Sequence, residues 1–232
     1  MTAHTGLSPA QQRLLEKLRS GRAPTTAPDI PHLADLSRVP LSFAQERIWL
    51  SQQLAGDIPV FNLGVAARMP VPVPVAEIER RLALVVRRHD ALRASIHVVD
   101  GDPEMSIAAE VAVDVEVLDL RETAPSDLDE ACRRAALEFG ARPYRLDRAP
   151  LCRVAVGLLP GDERMIVIGV HHLVADGTST DIIRREMTAG LELPPTRVRF
   201  ADYAAWQRDA GDARTRDGHD RYWLDKLASR EL

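Results

Sequence analysis

Apolar positions along the chain recur with two periods. Between Val75 and His89, Ile78, Leu82, Val85 and Val86 fall at helical spacing, so an amphipathic helix is predicted there. The run LSFAQERIWLSQQL offers Ser42 as a cap and Phe43, Ile48, Trp49 and Leu54 as an apolar set, which predicts another. Ser126 to Phe139 reads as a helix with Asp127, Asp129 and Glu130 near its positive end. Thr178–Met187, Phe200–Arg208 and Asp212–Ser229 read as three more, the last two rich in charge. Strand patterns lie between them. Val60–Met69 is strand-like, and Val111–Leu118 alternates valine with acids, the mark of a half-buried strand. Ala94–Val99 and Met105–Ala109 flank Asp100-Gly101-Asp102-Pro103, a hairpin signal. Leu151–Leu159 and Met165–Val170 are apolar strands joined across Pro160-Gly161-Asp162.

Punctuation divides the chain. Leu7 to Ser20 predicts a short helix, with Ser8 as cap, Pro9 as first helical residue and Gly21 as stop. Arg22 to Val39 holds Pro24, Pro28 and Pro31 among small and polar residues and reads as an extended linker. The organisation expected is therefore residues 1–21 as a linker helix or docking element, 22–39 as a proline-rich linker and 40–232 as the main domain. The Pro70–Pro74 repeat cannot continue a central strand, since proline donates no ladder hydrogen bond. No internal repeat is visible, and the mixed order of elements predicts an α/β fold.

Composition narrows the function classes. The chain has 232 residues, 45% hydrophobic and 28% charged, with a net charge of −4. That suits a globular protein with a sizeable core, and no global basic field points to nucleic acid or an acidic membrane. No apolar run is long enough to span a bilayer, and Met1–Gly6 lacks the start of a signal peptide. Cys132 and Cys152 lack metal-ligand spacing and form no disulfide framework, so they are expected as reduced thiols in the cytoplasm.

Candidate chemistry concentrates in Val170-His-His-Leu-Val-Ala-Asp-Gly-Thr-Ser179, at a strand end that opens a helix. Side chains alternate along a strand, so His171 and His172 should point opposite ways, which argues against a shared metal ion. Gly177 permits a sharp turn after Asp176. Taken alone, the histidine pair reads first as structural and only second as a site.

HHLVADG resembles the HHxxxDG signature of the condensation domains of nonribosomal peptide synthetases, whose superfamily includes chloramphenicol acetyltransferase. Three further segments resemble motifs of that family in order: LSFAQERIWL at Leu41–Leu50, RRHDALRASI at Arg87–Ile96, and FADYAAWQ at Phe200–Gln207. Departures are Asp90 for the usual Glu, Ala94 and Ile96 for Thr and Phe, and Thr178 for Trp or Val. The resemblance implies a chloramphenicol acetyltransferase-like two-layer α/β sandwich with a mixed sheet. It also implies that the chain corresponds to the N-terminal of two similar lobes, with the C-terminal lobe missing.

What the resemblance implies about function is amide formation between an acyl group and an aminoacyl group, each carried as a thioester on the phosphopantetheine of a partner carrier domain. The chain itself would hold no cofactor. An α-amino group has a pKa of roughly 7.7–8.0, so the demand for a strong base is modest. By match, His172 either accepts the amine's proton or positions the amine. His171 matches the first, structural histidine. Asp176 is expected in a salt bridge shaping the loop, with Arg93 or a group of the missing lobe as partner. Gly177 is a candidate to present its N–H to the developing oxyanion. Ser179 is a helix-start residue, and the aromatic residues Trp49, Tyr203, Trp206 and Trp223 are expected in packing. The arginine pairs Arg80-Arg81, Arg87-Arg88 and Arg184-Arg185 read as solvated helix faces, with docking of a carrier domain as the alternative. The isolated lobe should be nearly inactive, and its inter-lobe face should favour self-association. The alternative is a non-catalytic module that docks carrier proteins through residues 1–40, or a related acyltransferase.

Overall fold

In the computed structural model the helix predicted from Ile78, Leu82, Val85 and Val86 runs Val75–Arg88 (α2), and all four side chains are buried. They pack on one face of a four-stranded sheet. Its order is β2 (Asn62–Met69), β7 (Arg164–His171), β6 (Cys152–Leu158) and β5 (Val115–Asp119). β2–β7 and β6–β7 pair antiparallel and β5–β6 parallel, so the sheet is mixed as expected. The model describes residues 30–69, 72–190, 193–209 and 213–228. The predicted N-terminal helix and the docking element of residues 1–21 lie outside them.

Strand alternation places the two faces of the sheet. Val154, Ile168 and Val170 join the core formed with α2 and with Ile183 and Met187 of α4 (Gly177–Ala189). Ala155, Met165 and Val167 face the other way, against Cys132 and Phe139 of α3 (Leu128–Gly140). The strand expected from Val111 begins only at Val115; Val111 and Val113 pack against the core without joining the sheet.

The predicted hairpin forms, as β3 (Ala94–Val99) and β4 (Asp102–Ile107), but it belongs to a second sheet whose third strand, β1 (Val39–Pro40), the sequence pattern does not announce. Its hairpin turns at Asp100 and Gly101, with φ of 56° and 97°. Two successive positive φ angles are what a tight hairpin needs, and Asp-Gly accepts them readily. β1 lies within the stretch read as linker. Val39 is fully buried, and the Ile107 N–H donates to the Leu36 carbonyl at 2.9 Å. The compact unit accordingly starts at His32, eight residues before the expected boundary.

Two buried aspartates organise the remaining helices. Asp90, just after α2, accepts from the N–H groups of Phe200 (3.2 Å) and Ala201 (3.1 Å) and so caps α5 (Phe200–Asp209). Asp202 on α5 has a fully buried side chain. It accepts from the Leu33 N–H at 2.9 Å, pairs with His32 at 2.8 Å and with Arg199 at 2.7 Å. This clamp ties the entering segment to the domain. α1 (Phe43–Ala55) starts at Ser42 with a reciprocal capping box to Gln45, and α6 spans Ala213–Ala228.

Several arginines expected on solvated faces instead staple the fold. Arg81 donates to Glu77 and to the Met187 and Thr188 carbonyls. It also leaves no room for a side chain at Gly190, the left-handed C-cap of α4, where a Cβ would meet its guanidinium at 2.8 Å. Arg88 pairs with Glu186 of α4, whereas Arg184 meets Asp181 one turn back on the exposed face of that same helix, as the solvated-face reading expects. Of the aromatics expected in packing, Trp49 is against the core and Tyr203 lies 6.0 Å from Trp206, but Trp223 on α6 is 57% exposed beside Tyr222.

Candidate functional site

β7 delivers the two histidines to the point where the sheet ends. His171 is its last residue and His172 the first beyond it. The chain then turns tightly, closed by the Val174 N–H on the His171 carbonyl at 3.0 Å, and enters α4 at Gly177.

His171 is 1% exposed. Its ring contacts Tyr144 edge-on at 5.9 Å and Phe61 at 6.4 Å. The Leu173 N–H donates to its Nδ1 at 3.2 Å, which places the proton on Nε2, 3.5 Å from Gln52 Oε1. Burial, with a smaller contribution from His172, lowers its pKa to about 4, so the ring is neutral. Its inner face borders an open pocket of about 490 Å³ shared with Trp49, Gln52, Asn62 and Tyr144; His172 does not line it. Among the described residues the Tyr144 hydroxyl meets no hydrogen-bond partner, and Arg153 stacks 3.7 Å above its ring. Burial pushes that phenol up to about 12.

His172 is half-buried and is held differently. Its backbone N–H donates to the Phe61 carbonyl at 2.8 Å, and its Nδ1 lies 2.9 Å from the Ala175 carbonyl oxygen. A carbonyl only accepts, so Nδ1 carries the proton and Nε2 keeps its lone pair. The two rings thus have opposite tautomers and different surroundings.

Asp176 does not form the expected salt bridge with Arg93. It is the N-cap of α4, accepting from the Ser179 N–H and hydroxyl, both at 2.7 Å. Those bonds hold its carboxyl below the usual range. Arg93 donates instead to the carbonyls of Val86, Ala108 and Ala109, where it braces the start of β3. The correction has a local cause: a cap needs an acceptor one turn before the free N–H groups, and Asp176 stands there. Ser179 is at the helix start as expected. Gly177 is the first residue of α4, so its N–H is one that the helix leaves without an internal acceptor.

Sequence reasoning missed Gln45. It is 2% exposed and donates from Nε2 to the Leu173 carbonyl at 2.9 Å, reaching the signature turn from the first helix. Among the described residues no group of His, Cys, Asp and Glu has the arrangement to hold a metal ion, and no helix is long and apolar enough to cross a membrane. Both cysteines are free and buried.

Known proteins resemble this chain in sequence and in fold. Phosphinothricin tripeptide synthetase PhsC of Streptomyces viridochromogenes is 34% identical over 97% of this chain and 22% of its own length. The first condensation domain of the calcium-dependent antibiotic synthetase, solved with a substrate analogue, superposes with a TM-score of 0.71 at 25% identity. That match covers 84% of this chain and 48% of the other. The condensation domain for chain release from the enacyloxin polyketide synthase gives 0.72 at 25%, over 99% and 48%. The chain therefore spans about half of the solved domains it matches and a smaller share of the synthetase. The family model for the condensation domain matches residues 36–232, a span that includes the HHxxxDG turn, and the chain belongs to that family.

Proposed function

We propose that this chain is the N-terminal lobe of an amide-forming condensation domain and that His172 handles the proton of the acceptor amine. The observation that carries the reading is the ring of His172: Nδ1 tied to Ala175, Nε2 left as the acceptor, at the end of a rigid strand. An amine N–H donates to Nε2, which orients the nitrogen lone pair toward the donor thioester carbonyl. As the C–N bond forms, the nitrogen becomes cationic and its proton passes to Nε2. The C–S bond then breaks, and the leaving thiolate takes that proton, giving the amide and a free thiol. The Gly177 N–H, at the positive end of α4, is assigned to the developing oxyanion. His171 acts as a structural ring, and Asp176 sets the start of the helix.

The partners on this reading are a donor and an acceptor carrier domain, each presenting its substrate on phosphopantetheine in the cytoplasm, and a second lobe. Support for the second lobe is the fraction of the solved domains that the chain spans, together with exposed apolar residues Leu50, Leu54, Ile58 and Val60. The test is amide formation from acyl-loaded and aminoacyl-loaded carriers, read by mass spectrometry, for this chain supplied with the complementary half-domain. Product is expected with the native chain and not with His172→Ala. Equal product from both would overturn the assignment.

A further inference from the structure

The signature turn is gripped from outside by main-chain partners, Leu151 for the His171 N–H and Phe61 for the His172 N–H. Among the described hydrogen bonds, one side chain from elsewhere in the fold reaches the turn's main chain, and it is that of Gln45. Its amide orientation is settled by its partners. Oε1 accepts the Ser42 N–H at 3.0 Å, so Nε2 is the end that meets the Leu173 carbonyl at 2.9 Å. Leu173 is buried, so without this donor its carbonyl would have to turn in search of another. The peptide that would rotate carries the closing N–H of Val174 itself, and it stands just before the Ala175 carbonyl that holds His172.

Gln45 is itself anchored. The start of α1 is bound by α5: the Phe43 N–H donates to Gln207 Oε1 at 3.0 Å and Arg208 Nε to the Leu41 carbonyl at 2.6 Å. The start of α5 is bound in turn by Asp90. The three motif segments outside the signature thus form a chain of helix caps whose last link is the Gln45–Leu173 bond.

We infer that Gln45 is a positioning residue for His172, acting through the Leu173 carbonyl to hold the turn in the geometry that fixes the imidazole tautomer. The inference rests on the reading of His172 given above, and its test needs no turnover. Ring ¹⁵N shifts of His172 and hydrogen exchange of the Val174 N–H are measured in the native chain and three variants. Ser42→Ala weakens the cap but spares the Leu173 contact; it should lower Tm and leave the ring signature unchanged. Gln45→Glu at neutral pH keeps an acceptor for Ser42 but loses the donor, and Gln45→Met loses both. In each, His172 should become a mixture of tautomers and the Val174 N–H should exchange roughly fivefold to tenfold faster. A folded Gln45→Glu or Gln45→Met chain with native ring shifts and native Val174 exchange overturns the inference. Should neither fold, the Gln45 side-chain amide protons of the native chain decide: slow exchange supports the bond, and exchange at the rate of an exposed amide overturns it. Equal amide formation by His172→Ala would sink the functional reading while leaving these results standing.

Discussion

The Nδ1–H of His172 is bound to the carbonyl oxygen of Ala175 at 2.9 Å, three residues further along the same turn. The bond fixes the ring plane and leaves Nε2 with a lone pair, so the base is prepared before any substrate arrives. His172→Ala should lower amide formation by about 10²–10⁴-fold, the usual weight of a positioned acid–base group. Because the ring is only half-buried, Tm should move little. Product yield and a thermal melt on the same preparation check both halves of the statement.

The neighbouring His171 should report acid through stability. Its pKa of about 4 in the folded chain lies below the ordinary 6.5, so the unfolded chain takes up the proton first. The stability it supports is complete above pH 6.5 and falls as pH drops toward 4. Urea midpoints of the native chain should decline across that window more steeply than those of His171→Gln. A ring titrating near its ordinary value by NMR would contradict this.

Asp202 should respond at lower pH. Burial raises its pKa, but Arg199, the Leu33 and Arg199 N–H groups and His32 outweigh burial and hold it well below the carboxylate range. Its contribution is therefore present above the unfolded value near 4 and lost as pH falls through the folded one. Asp202→Ala should cost about 1–3 kcal/mol at neutral pH, because it removes the shared acceptor of the part-buried Leu33 N–H and Arg199 guanidinium. Equilibrium unfolding of the two chains at pH 7 measures it.

At the start of α4, Asp176→Ala should cost about 1 kcal/mol, the common value for a lost side-chain cap, and Asp176→Asn much less. The same denaturation experiment distinguishes this role from that of an ion pair, for which Asn would be no rescue.

The apolar residues on and after α1 predict association. Leu54 is 83% exposed and adjoins Leu50, Ile58 and Val60 in sequence. Light scattering should find the native chain as dimers or larger species, and Leu50→Lys with Leu54→Lys should shift it toward monomer. A monodisperse native monomer would refute the expectation.

Much of this was legible in the residues, but unevenly. The period of Ile78, Leu82, Val85 and Val86 gave α2 because burial of one helix face is a local pattern. The opposite facing of His171 and His172 followed from strand alternation in the same way. The third strand of the second sheet leaves no signal because β1 is two residues long, ends in Pro40 and pairs with a strand more than sixty residues on. Val39 looked like linker because nothing nearby marks it as buried. Asp176 was assigned to an ion pair, yet its partner is the helix that follows it. Arg93 was offered as that partner, yet it serves three carbonyls. Bonds from a side chain to a distant main-chain group, such as Gln45 to Leu173, impose no period and leave no trace in spacing.

That last bond has a consequence for biogenesis. It joins residues 128 positions apart, and the helix that steadies its near end lies further still, at Phe200–Asp209. On that inference, a ribosome-bound fragment that stops before Phe200 holds every atom of the first helix and of the turn, yet lacks the groups that steady Gln45. Full order at the turn therefore waits on residues translated after the signature itself.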